Sequence, residues 1–210
     1  MHVGIFDSGR GGEFIADGLR ILLPEHEYSV VNDREHVPYG SRSNVEVLAL
    51  TDAAIQPLLG QCPIIVIACN TATMAAIRSL RARYPDTKFI GIEPMIKPAS
   101  LLSMTKHCTV LATPLTLKSQ RYQSLVALYG DGLTIDEPNA SGWAAAIEFD
   151  EVSSIDYSGV ASSIKSGSDT IILACTHYIM LKETLTELFP TAVILEPTKA
   201  IAKQITRLVA

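Results

Sequence analysis

Cysteine is scarce in this chain, and what there is lies scattered. The four residues, Cys62, Cys69, Cys108 and Cys175, form no Cys-x-x-Cys pair. That spacing speaks against zinc-ribbon and thioredoxin-like readings, and a chain of 210 residues does not need disulfides to hold a core. Basic residues are also short: 17 Lys and Arg against 22 Asp and Glu leave a formal charge of -5. A nucleic-acid partner needs a basic face for phosphates, so that function class is set aside. A small anionic substrate is not, because a local site can be positive within an acidic protein. No apolar run approaches the roughly eighteen residues that a membrane span needs. The opening Met1-His2-Val3-Gly4-Ile5-Phe6 lacks the basic flank and apolar stretch of a secretory signal. The expectation is a cytoplasmic protein without membrane or metal. The Gly9-x-Gly11-Gly12 run has no following Lys-Ser/Thr, so it does not read as a nucleotide loop.

What is present is a strand-helix alternation. Apolar residues make up 48% of the chain and charged ones 19%, an ordinary balance for a cored protein. Val3 to Phe6 reads as a strand, Glu13 to Leu23 as a helix and Glu27 to Val31 as a strand. Asn44 to Leu59 carries helical spacing, and Pro63 to Ala68 is a near-continuous β-branched run. Ala72 to Tyr84 is helical again, before a strand over Lys88 to Ile92. Short apolar runs without polar alternation imply parallel sheets covered by helices, an α/β fold.

Laid over itself, the chain repeats. Ile65-Val66-Ile67-Ala68-Cys69-Asn70-Thr71 returns as Ile171-Ile172-Leu173-Ala174-Cys175-Thr176-His177, an offset of 175 − 69 = 106. The same offset carries Val3-Gly4-Ile5-Phe6-Asp7 onto Thr109-Val110-Leu111-Ala112-Thr113. At a slightly smaller one, Gly91-Ile92-Glu93-Pro94 meets Ile194-Leu195-Glu196-Pro197. Three landmarks in one order predict two pseudo-symmetric α/β halves. The expected division is residues 1–96 with 198–210 as one domain and 97–197 as the other.

The repeat has a chemical consequence. Ligands of open α/β sheets bind beyond the carboxyl ends of the strands, and each half sets a cysteine immediately after a buried strand. The expectation is a cleft between the halves with one thiol on either side. That suits inversion of an amino-acid α-carbon, where one group removes a proton from one face and another delivers a proton to the opposite face. A thiol, with an ordinary pKa of roughly 8.5, serves either role near neutrality. Asp7 ends the strand expected beside Cys69, and His177 stands two residues beyond Cys175, where it can exchange a proton. Asn70, Thr71 and Thr176 bring short polar side chains to expected helix starts, positions that favour a carboxylate. Singly, each has a plainer reading: a buried filler for a cysteine, a helix cap for Asp7, a packed turn for His177.

Taken together, the residues resemble the glutamate racemase family along almost the whole chain. The motifs are Phe6-Asp7-Ser8-Gly9-x-Gly11-Gly12, Asp33 with Val37-Pro38-Tyr39-Gly40-Ser41-Arg42-Ser43, and Ala68-Cys69-Asn70-Thr71-Ala72. They continue with Glu93-Pro94-x-x-Lys97-Pro98-Ala99, Thr113-x-x-Thr116-x-x-Ser119-x-x-Tyr122 and Ala174-Cys175-Thr176-His177-Tyr178. The resemblance implies a cofactor-independent racemase supplying D-glutamate for peptidoglycan, a homodimer in many members. It implies that Cys69 serves the D face and Cys175 the L face, with Asp7 and His177 supporting them. It adds a glutamate of the second half, best matched by Glu148, with Glu151 the nearest competitor. It implies that Ser8, Pro38, Tyr39, Gly40, Ser41, Asn70, Thr71, Thr113, Thr116 and Thr176 line the substrate. Arg10, Glu13, Glu35, His36 and Ile179 depart from the family's usual residues. His36 and His107 read as surface or loop residues. Two alternatives stay open: an aspartate or broader racemase on the same scaffold, and a silent binding protein.

Overall fold

A computed structural model describes residues 1–209. The chain divides into two compact units, Met1–Glu93 with Pro197–Ala210 and Pro94–Glu196. The first contains β1 (His2–Asp7), α1 (Gly11–Leu22), β2 (Glu27–Asn32), α2 (Asn44–Ala54), β3 (Ile64–Ile67), α3 (Asn70–Arg83) and β4 (Lys88–Gly91). The second contains α4 (Ile96–Leu102), β5 (His107–Ala112), α5 (Pro114–Lys118), α6 (Gln120–Tyr129), β6 (Thr134–Asp136), α7 (Trp143–Glu148), α8 (Ser158–Lys165), β7 (Thr170–Ala174), α9 (Lys182–Leu188) and β8 (Val193–Leu195). α10 (Thr198–Val209) returns to the first unit and packs on α1.

Each unit is built on a four-stranded, all-parallel sheet, ordered β2-β1-β3-β4 in the first and β6-β5-β7-β8 in the second. The central strands are those whose sequences lack alternation. Ile64 to Ile67 and Thr170 to Ala174 are buried throughout, because helices cover both faces. The outer strand β2 carries Glu27 and Ser29 and is only partly buried. The repeat is thus real in strand order and direction, with one adjustment. Val3 pairs with Ile64 while Cys108 pairs with Thr170, so β1 maps onto β5 at an offset of 105 and Asp7 corresponds to Ala112 rather than Thr113.

Local chemistry moves two helix boundaries. The helical spacing over Asn44 to Leu59 breaks at Ala54 and resumes as a single 3₁₀ turn, Gln56–Leu58. Pro57 has no N–H to donate and disfavours α geometry at the residue before it. The start of α2 is held by a capping box, in which the Ser43 side chain accepts from Glu46 N–H and Glu46 receives the Ser43 N–H. α3 begins at Asn70, two residues earlier than the apolar pattern predicts, because the Cys69 side chain caps it.

α1 approaches the end of β1 closely at Gly12. A Cβ there would lie 2.4 Å from Asn32 Oδ1 and 3.0 Å from the Asp7 Cβ. Gly12→Ala should therefore destabilise the chain by about 1–3 kcal/mol, the usual cost of overpacking. Urea unfolding checks this, and a midpoint equal to wild type would show that the contact gives way freely.

Candidate functional site

The site residues of the first unit collect where β1 and β3 end. Parallel register sets Phe6 beside Ile67, and the Ala68 N–H donates to the Phe6 carbonyl at 2.7 Å. Asp7 and Cys69 therefore leave the sheet on neighbouring strands. Asp7 is wholly buried, and its Oδ1 accepts the Gly9 N–H at 2.8 Å. The Ser8 hydroxyl donates to Cys69 Sγ at 3.4 Å, and the Ala72 N–H does so at the same distance, 3.4 Å. The sulfur thus sits at the N-terminus of a 14-residue helix, where the partial positive charge favours an anion. Asn70 and Thr71, in the first turn of α3, are buried. The Asn70 carboxamide oxygen is sealed from solvent without a hydrogen-bond partner, an acceptor that a ligand N–H would satisfy.

Tyr39 closes over this end of the sheet from a 3₁₀ turn, Tyr39–Ser41. Its ring is 1% exposed and lies 6.3 Å from that of Phe6. Burial raises the phenol's pKa far above the ordinary tyrosine value, and its bond to Asp33 and the nearby charges of Asp33, Cys69 and Asp7 push the same way. Tyr39 is therefore held near both Cys69 and Asp7. Pro38 and Ser41, also expected to line the substrate, are exposed; the Ser41 hydroxyl turns back to the Pro38 carbonyl at 3.4 Å. Gly40, between them, is half-buried.

The second unit gathers Cys175, His177 and Glu148. Cys175 follows β7 directly, and Thr176 and His177 begin a 3₁₀ helix, Thr176–Leu181, rather than an α-helix. His177 Nε2 lies 2.9 Å from Glu148 Oε2, and His177 Nδ1 lies 3.9 Å from Cys175 Sγ. With Nε2 donating to the carboxylate, Nδ1 turns a lone pair toward the sulfur. Glu148 is the last residue of α7 and is 3% exposed, whereas Glu151 is exposed. Of the two glutamates, it is Glu148 that meets the histidine.

A buried aromatic group supports that meeting. The Tyr178 hydroxyl donates to the Ala140 carbonyl at 3.0 Å, and the Trp143 ring lies edge-on to Tyr178 at 5.8 Å and to Tyr157 at 5.4 Å. The turn bearing His177 is thereby fastened to the segment that leads into α7. Thr113 and Thr116 engage each other: the Thr113 hydroxyl donates to Thr116 Oγ1 at 3.0 Å and accepts the Thr116 N–H at 3.3 Å, capping α5. Among the described residues, no group of three or more His, Cys, Asp or Glu is placed to hold a metal ion. Sequence reasoning passed over His36, and the structure puts its ring on Asp33, 2.8 Å away. The spacing of three residues across one helical turn was the available signal.

With this geometry established, comparison with known proteins is informative. Residues 17–205 match the family model described as Asp/Glu/Hydantoin racemase. The glutamate racemase of Herpetosiphon aurantiacus is 36% identical over 99% of this chain and 84% of its own length. That of Cupriavidus pinatubonensis is 38% identical over 98% of this chain and 78% of its own. The chain belongs to the Asp/Glu/Hydantoin racemase family. Among solved structures, Escherichia coli glutamate racemase, crystallised with L-glutamate and the activator UDP-MurNAc-Ala, superposes on 99% of this chain and 81% of its own, with a TM-score of 0.86 and 27% identity. The expected α/β architecture, two parallel sheets with helices, is that of this racemase family.

The buried phenols make a pH prediction. Tyr39, Tyr122 and Tyr178 are all raised above the ordinary value near 10, by burial first; Asp33, Glu137 and Cys175 respectively add to it. Folded, they keep their protons; unfolded, they lose them above about pH 10. The stability that follows from this difference is present in full below that pH and declines as pH rises through and beyond it. Urea midpoints at about pH 9 and 10.5 should show the fall. Ionisation of all seven tyrosines without loss of structure would contradict it.

Proposed function

We propose that this chain is an isomerase that interconverts L- and D-glutamate without pyridoxal or metal, using Cys69 and Cys175 as its two acid-base groups. The reading is supported above all by near full-length similarity to glutamate racemases, with a cysteine following the same central strand of each sheet. In the direction from L to D, the Cys175 thiolate takes the α-proton and the Cys69 thiol delivers one to the opposite face; in reverse, the roles exchange. The reaction is balanced, since one thiolate becomes a thiol as the other thiol becomes a thiolate.

The surroundings of each sulfur fit its share of the work. The Ser8 hydroxyl and Ala72 N–H stabilise negative charge on Cys69, and Asp7 orients that end of the site. His177, oriented by Glu148, presents Nδ1 beside Cys175 to accept and return its proton. The carbanion has no cofactor to spread its charge, so donors to the substrate carboxylate supply the stabilisation. Asn70, Thr71, Thr113, Thr116 and Thr176 are the groups assigned to its carboxylate and ammonium, and Ser8, Pro38, Tyr39, Gly40 and Ser41 to the rest of the molecule. The product is D-glutamate for cell-wall peptidoglycan, made in the cytoplasm by a homodimer. No helix of the described residues is long and apolar enough to cross a membrane.

Circular dichroism of L-glutamate with the protein should decay to zero, whereas L-aspartate should keep its signal. Loss of the aspartate signal alone would reassign the substrate. Cys69→Ala and Cys175→Ala should each abolish racemisation and leave the fold intact; near-normal turnover in either would exclude two-base chemistry. Asp7→Asn and His177→Asn should lower kcat more than they raise KM, by roughly 10²–10⁴-fold in kcat if they act in proton transfer.

A further inference from the structure

The function proposed above makes no use of His36. Its surroundings are ordered. The ring Nδ1 lies 2.8 Å from Asp33 Oδ1, while the Tyr39 hydroxyl donates to the other carboxylate oxygen, Asp33 Oδ2, at 2.6 Å. One carboxylate is therefore shared between an imidazole and a phenol. Asp33 is itself anchored, since its N–H donates to the Asp7 carbonyl at 3.0 Å. From the other side, Arg42 Nε donates to the His36 carbonyl at 2.9 Å and the Arg42 N–H to the Tyr39 carbonyl at 3.1 Å. Residues 33–42 thus form a closed circuit of hydrogen bonds that begins at Asp7 and sets the Tyr39 ring over the end of the sheet.

Within that circuit His36 does one job. It occupies the carboxylate oxygen that Tyr39 leaves vacant, so the carboxylate cannot swing about its last torsion and carry the phenol away. The Asp33 side chain is 12% exposed, whereas that of His36 is 40% exposed. The histidine therefore shields a nearly buried charge without belonging to the core, and its loss does not threaten the fold. Charge-assisted bonds of this kind are stronger than neutral ones.

We propose that His36 is a positioning residue, which acts through the Asp33 carboxylate to hold Tyr39 and the 37–42 loop in the arrangement that receives the substrate. The proposal rests on the racemase reading for its kinetic arm and on the loop alone for its structural arm. His36→Ala should raise the KM for glutamate about fivefold to tenfold, the effect of one lost hydrogen bond, and leave kcat within about twofold. His36→Asn, whose side-chain N–H can take the place of Nδ1–H, should restore KM. In ligand-free protein, backbone amides of residues 34–42 should exchange with deuterium about tenfold faster in His36→Ala and at the wild-type rate in His36→Asn. Unchanged exchange in the alanine variant would overturn the proposal, as would a fall in kcat at constant KM or failure of asparagine to rescue. If wild-type protein did not turn over glutamate, the racemase reading would fail, and the exchange measurement would still decide the role of His36.

Discussion

A parallel strand that runs into a helix leaves two things at one edge of its sheet: the end of an apolar segment and the first unpaired N–H groups of the helix. Both units of this chain are built from that junction, and one group of their buried polar residues follows from it. Asp7, Ser8, Cys69, Asn70 and Thr71 in the first unit, and Cys175, Thr176 and His177 in the second, all stand within four residues of a central strand's end. A buried polar group costs free energy unless it is hydrogen-bonded. The junction supplies the partners, with the Gly9 N–H on Asp7 and the Ala72 N–H on Cys69.

Identical strand order does not give the two cysteines identical surroundings. Cys69 is followed at once by a 14-residue helix and serves as its cap, so a hydroxyl and a backbone amide reach the sulfur. Cys175 is followed by a 3₁₀ turn, which bends His177 back beside it, and the histidine is held by Glu148 from the end of α7. A hydroxyl and a helix-start amide donate to the first sulfur, while an imidazole stands beside the second. The difference is one of backbone geometry immediately after the strand. A duplicated scaffold thus gives two equivalent cysteines unlike chemical surroundings.

The elements around these junctions restrict motion by more than apolar packing. In the first unit, the Asp33 carboxylate ties the loop after β2 to Tyr39, and its own N–H ties that loop to the end of β1. In the second, Tyr178 and Trp143 lock the turn after β7 to the start of α7. Each arrangement uses a buried aromatic ring with a hydroxyl that finds one acceptor, a combination of large contact area and fixed direction. Such supports fix the direction of the side chains they carry.

Periodicity in the amino-acid sequence determined the α/β class, the parallel sheets and the duplication, since a strand buried on both faces cannot alternate and a repeat survives as matched apolar runs. It also marked Asp7, Cys69, Cys175 and His177, because strand ends are visible where an apolar run meets a polar residue. Only tertiary structure shows that Glu148 rather than Glu151 meets His177, as the contact depends on how α7 packs against the turn after β7, 29 residues from Glu148 to His177 along the chain. The same holds for the one-residue shift that sets Asp7 against Ala112 rather than Thr113. Patterns report which residues are buried; hydrogen-bond partners and strand register are contacts between distant segments, and no local spacing encodes them.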